Sequence, residues 1–107
     1  MRDAVRQLAS LGRLPDETST QAEIDPRATL LDEIGRDRPS RAEISALIDV
    51  FPSDEGECFG LSWALLHIIE SGPDWPVWDI LETRKGWWID LLRLRLRNAG
   101  LAQPSPQ

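Results

Sequence analysis

Apolar residues recur along this chain at three- and four-residue intervals, and no run alternates with the period of two that marks a half-buried strand. The pattern predicts an all-α fold of five to six short helices. A first helix starts at Asp3 and places Val5, Leu8 and Leu11 on one side before Gly12 stops it. Residues 13–24 read as a polar connector with at most one loose turn. Asp25-Pro26 is a start signal, a cap followed by proline at the first helical position, and Leu30, Leu31 and Ile34 give the second helix a narrow apolar face ended by Gly35. The third helix is the most clearly marked. Ser40 and Glu43 form the S-x-x-E capping box, and Ile44, Leu47, Ile48 and Phe51 follow at helical spacing.

The fourth segment, Cys58 to Ser71, carries Leu61, Ala64, Leu65, Ile68 and Ile69 on one side, with Phe59 and Leu66 widening the apolar arc. A helix apolar over so much of its circumference is packed by neighbours on several sides, so it is expected to be central. Gly72-Pro73 stops it. Asp74-x-Pro76 is expected to open a short fifth helix with Trp78 and Leu81, and Thr83 to cap a sixth that runs to about Asn98. These elements predict one helical domain over residues 1–100, an irregular bundle or, as an alternative, two stacked helical hairpins like a short piece of a HEAT-type solenoid. Residues 101–107, with Pro104 and Pro106, read as a disordered tail.

The sixth helix has two apolar sides. Trp88, Ile89, Leu92, Leu96 and Ala99 share one arc of about 100°, wide enough for a core face. Trp87, Leu91 and Leu94 form a second stripe, set off by Arg95 on one side and by Asp90, Arg93 and Arg97 on the other. Either the N-terminal helix folds over that stripe or it is a contact surface, for instance for a homodimer through Trp87, Leu91 and Leu94.

Charge changes the picture more than composition does. The chain has 107 residues and a net charge of −6, but residues 83–107 carry five cations against Asp90 alone. Between Arg41 and Arg84 there is no lysine or arginine, while nine carboxylates occur: Glu43, Asp49, Asp54, Glu55, Glu57, Glu70, Asp74, Asp79 and Glu82. Trp63, Trp75 and Trp78 lie in the same window. Such a surface attracts cations and repels phosphates, so direct nucleic-acid binding is not expected. The C-terminal arginines are expected to pair internally with the acidic middle.

Candidate chemistry is sparse. No stretch reaches membrane-spanning length, no apolar leader opens the chain, and a lone cysteine forms no internal disulfide, so a cytoplasmic location is the default. Nucleotide-binding loops, metal-protease and thiol-redox motifs and hydrolase elbows are absent. Cys58 at a helix start has acidic neighbours and no histidine within reach. His67, with Glu70 three residues on, could form an oriented base or two ligands of a metal, but the further ligands are missing. No cofactor, metal site or catalytic residue is therefore expected.

The reading that results is a non-catalytic module that caps a basic protein with an acidic, tryptophan-bearing face. Its most concrete form is a bacterial immunity or antitoxin-type inhibitor of a nucleic-acid-targeting protein. The contact residues expected are Asp54, Glu55, Glu57, Asp74, Trp75, Trp78, Asp79, Glu82 and Trp87. Two alternatives stand beside it: a helical adaptor or self-associating regulator working through an apolar helix face, and a small metal- or base-dependent enzyme centred on His67.

Overall fold

The computed structural model describes residues 1–15 and 20–101. Among them it is all-helical: α1 (Asp3–Ser10), α2 (Gln21–Ile34), α3 (Arg41–Ile48), α4 (Leu61–Glu70), α5 (Trp78–Glu82) and α6 (Trp87–Asn98), with no strand. The main helix pairs are α1 with α2 and α3, and α4 with α2 and α3, so the first four helices close a ring. The arrangement is the irregular bundle, since α5 has only five residues and α6 joins none of these main pairs. The expected tail falls almost wholly on residues 102–107, which lie outside the described residues. No helix among those described is long and apolar enough to cross a membrane.

One buried cluster runs through the ring. Val5 and Leu8 of α1, Leu31 and Ile34 of α2, Ile44, Leu47 and Ile48 of α3, and Leu65, Leu66 and Ile69 of α4 are all closed to solvent. For α1, α2 and α3 this is largely the apolar face that helical spacing marks. α4 is one side of the ring and not its centre: it buries Ser62, Leu65, Leu66 and Ile69 and leaves Leu61, Ala64 and Ile68 of its expected core side half-buried. Leu11 also departs from the expected face: α1 stops at Ser10, leaving it exposed, and Leu30 of α2 is half-buried.

Glu43 ties three elements together. Its Oε1 accepts the Ser40 N–H at 3.0 Å and the Ser40 hydroxyl accepts the Glu43 N–H at 3.2 Å, completing the capping box of α3. Its Oε2 accepts the backbone N–H of Arg2 at 3.1 Å and Arg2 Nε at 2.9 Å. The same guanidinium reaches past the end of α2 to the carbonyls of Ile34 and Asp37, both at 3.2 Å. A cation at a helix C-terminus and an anion in a helix first turn are each favoured by the backbone dipoles. α1 therefore begins after Arg2, and Asp3 is its first residue rather than its cap.

Four sequence boundaries need correction. Residues 13–24 are not a polar connector throughout. Leu14 and Ile24 are buried, the Leu14 N–H donates to Val50 O at 2.8 Å, and α2 already starts at Gln21. Pro26 consequently lies inside α2. Among the carbonyls of this stretch, Glu23 O accepts from Arg27 and Asp25 O from the Thr29 hydroxyl, so backbone acceptors near the proline find side-chain donors. α4 begins at Leu61, not at Cys58. Asp74-x-Pro76 precedes α5 by a short extended stretch, Pro76 following a cis peptide bond, and α5 begins at Trp78. Thr83 closes α5 instead of opening α6: its hydroxyl donates to Ile80 O at 2.8 Å, and Gly86 stands at the start of α6.

Candidate functional site

The loop from Pro52 to Gly60 joins α3 to α4 and is built to a definite shape. Asp54 Oδ1 accepts the Gly56 N–H at 2.9 Å, a two-residue side-chain turn of the kind that favours aspartate. Ser62, buried in the first turn of α4, reaches back twice: its hydroxyl donates to Gly56 O at 2.9 Å and its N–H to Glu57 O at 3.0 Å. Trp63 Nε1 donates to Glu57 Oε1 at 2.6 Å. The chain then takes three consecutive left-handed residues, Cys58 at φ 47°, Phe59 at φ 53° and Gly60 at φ 86°. Glycine adopts this conformation freely, whereas each non-glycine residue in it costs of the order of 1 kcal/mol. Cys58 is buried there and Phe59 stands 63% exposed.

This geometry removes the local explanation for the acids. Carboxylates gather in helix first turns because the dipole holds them there, and the effect fades within a turn. α4 has no acid in its first turn, and the left-handed residues separate Glu57 from its start. Asp54 and Glu57 are loop residues held by hydrogen bonds, and Glu55 is an exposed residue of the same loop.

An aromatic cluster meets the loop. Trp88 is buried at the start of α6, stacked on Phe51 at 5.4 Å between centroids and met edge-on by Trp63 at 5.1 Å and Trp87 at 4.9 Å. Ring pairs at these separations attract beyond their buried area. The indole N–H of Trp88 has no hydrogen-bond partner among the described residues, so this side chain is held by packing. An open cleft of about 380 Å³ results, lined by Glu55, Gly56, Glu57, Trp63, Trp87 and Trp88, with no cation in its wall. Trp87 remains 42% exposed at its edge.

Elsewhere in the window four acids are used internally. Glu43 pairs with Arg2, Asp49 with Arg84 at 2.7 Å, Asp79 with Arg41, and Glu70 gives both oxygens to Arg95 at 2.7 and 2.8 Å. The hydrogen bond from Arg2 holds the Glu43 carboxyl down to about 2 against the cost of burial, and Arg41 lowers Asp79. Glu70 raises Arg95 above its ordinary range. The expected internal pairing of the C-terminal arginines thus holds for Arg84 and Arg95. Among the described residues no cation reaches Asp54, Glu55, Glu57 or Asp74.

The structure therefore divides the expected contact residues. Glu55, Glu57 and Trp87 line one cleft, with Asp54 in the same loop; Asp74, Trp75, Trp78, Asp79 and Glu82 lie outside its wall. Trp75 and Trp78 are half-buried against the core, and Asp79 is committed to Arg41. Trp63, Gly56 and the buried Trp88 line the cleft without having been in the expected contact set, and Trp63 is the one whose side chain bonds an acid of the loop. Its only local signal was membership of the acidic window, because its neighbours Trp87 and Trp88 are more than twenty positions away.

His67 is exposed, its Nδ1 is 3.9 Å from Glu70, and both Glu70 oxygens are engaged by Arg95. Among the described residues no group of three or more histidine, cysteine or carboxylate side chains is placed to hold a metal ion. Comparison with protein-family models, with curated proteins and with solved structures finds no match to the chain.

Proposed function

We propose that this chain is a protein-binding module whose Glu55–Glu57–Trp63–Trp87 cleft receives basic side chains of a partner protein. The observation that carries the reading is the sorting of charge. Internal arginines neutralise Glu43, Asp49, Glu70 and Asp79, while the acids at the aromatic cleft are left without a cation among the described residues. An arginine or lysine entering there meets carboxylates and can lie over an indole face, and these stabilise a cation by charge and by the ring quadrupole. Tryptophan and a desolvated charge pair are the usual anchors of a binding hot spot. In its most concrete form the module is an inhibitor of the immunity or antitoxin type, occupying a basic surface that a nucleic acid would otherwise contact.

Capture tests the reading. The immobilised chain is compared with its D54N/E55Q/E57Q variant, and proteins retained at low salt and released by raised salt are identified. A basic protein retained by the parent chain and lost from the triple variant is expected. Retention of the same proteins by both chains, or of acidic proteins only, overturns the proposal.

A further inference from the structure

The core face of α6 is buried as its spacing requires at Trp88, Ile89, Leu92 and Leu96, with Ala99 exposed beyond the helix end. The second stripe is not covered. α1 packs on α2 and α3 rather than over α6, Leu91 is half-buried, and Trp87 and Leu94 are 42% and 44% exposed. Asp90 and Arg97 border this stripe along the same edge. Taking about 100° per residue, they fall about 40° and 60° to one side of Leu94. They stand seven residues apart, about 10 Å along the axis, with Leu94 close to midway between them. Arg97 has no carboxylate partner among the described residues, and Asp90 has only the 3.6 Å contact to Arg93 within its own helix.

We propose that this stripe pairs with the same stripe of a second copy, the two α6 helices running antiparallel about a two-fold axis beside Leu94. A two-fold of that kind carries each edge of the stripe onto the same edge of the other copy with its direction reversed. Asp90 of one copy therefore meets Arg97 of the other, twice, while Leu94 meets Leu94 at the centre and Leu91 packs beside it. Trp87 then lies over the helix end of the second copy near Gly100, beside its exposed Leu101. In a parallel pair the two-fold carries each edge onto the opposite edge of the other copy, so Asp90 and Arg97 would not meet across the seam; only the antiparallel register pairs these opposite charges. One pair of helices makes a small interface, at the low end of specific contacts, and the dimer is accordingly a weak one in the micromolar range. Trp87 borders both surfaces, but Leu94, Asp90 and Arg97 take no part in lining the acidic cleft, so variants at these three positions test the pairing separately from partner capture.

Sedimentation velocity of the full chain from micromolar to near-millimolar concentration, with circular dichroism as the check on folding, reads the equilibrium. The parent chain is expected to form dimers with rising concentration, and Leu94→Asp to weaken them by about tenfold or more. Asp90→Arg alone and Arg97→Asp alone should each weaken self-association, because each leaves like charges facing. An equimolar mixture of these two variants should form a heterodimer, and the double variant D90R/R97D should recover the homodimer. A chain monomeric at every concentration, a dimer indifferent to Leu94→Asp, or a mixture no more associated than its components overturns the proposal.

Discussion

Glu43 is the residue on which most of the architecture converges, and its ionisation is linked to folding. Its carboxyl is held at about 2 by Arg2, below the ordinary 4.5 of an unfolded chain. Between those values the unfolded state binds the extra proton, so stability rises with pH across the interval. The contribution is complete above about pH 5 and is lost as pH falls through 2; it amounts to about 3 kcal/mol at most. Glu43→Gln should destabilise the chain at pH 7 by about 2–3 kcal/mol, since it leaves the buried part of Arg2 without its anion. Urea denaturation at pH 7 and pH 3 reads the effect: the gap between parent and variant should narrow at the lower pH. An unchanged gap would mean that Arg2 and Glu43 are not coupled in solution. Half of this arrangement was legible in the sequence. S-x-x-E names Glu43 as the capping residue, because the motif is local, whereas the link to Arg2 spans 41 positions and has no local signature.

At the scale of elements, helix interiors were readable and helix ends were not, for a physical reason. Apolar spacing reports the face a helix buries, so the core residues of α3 and α6 follow from it directly. α4, apolar over most of its circumference, gave no single face and buries Leu66 and Ser62 in place of Leu61, Ala64 and Ile68. Ends depend on which donors and acceptors find partners in space. Thr83 and Asp25-Pro26 are sound start signals in isolation, yet Thr83 serves the end of α5. Pro26 sits within α2, whose first turn brings Ile24 into the core. Gly72 was readable as a stop after α4, but its structural constraint is one of space. A Cβ there would stand 2.7 Å from Ile44 Cδ1 and 3.0 Å from the carbonyl oxygen of Pro39, where α4 ends against the start of α3. The backbone oxygen cannot yield as a side chain can. Gly72→Ala should therefore cost about 1–3 kcal/mol, the usual range for overpacking, measured as a lowered denaturant midpoint with an unchanged slope. A variant as stable as the parent would show that the α3–α4 junction opens easily.

Across the whole molecule, a net charge of −6 is arranged so that Glu43, Asp49, Glu70 and Asp79 are paired with arginines, while the three acids of the loop at the aromatic cleft have no cation among the described residues. The window without cations was visible in the sequence, but which of its acids remain unpaired depended on arginines that lie outside the window on either side, Arg2, Arg41, Arg84 and Arg95. The uncompensated acids also share a loop with two non-glycine residues in the left-handed region, so the candidate site combines like-charge crowding with backbone strain. Sites kept for binding commonly cost stability in this way. The hydrogen bonds of the loop make the point testable, because they use oxygens that an amide retains. Asn at position 54 can still accept from the Gly56 N–H, and Gln at position 57 can still accept from Trp63 Nε1. The variant D54N/E55Q/E57Q thus removes charge and little else. It should fold with unchanged helix content and be as stable as the parent or more so, by up to about 1 kcal/mol at low salt, with the difference shrinking as salt screens the acids. Thermal denaturation at two ionic strengths decides the matter. A triple variant less stable than the parent at low salt would mean that these carboxylates are neutralised within the folded chain, and the cleft would then have no charge left to offer a basic partner.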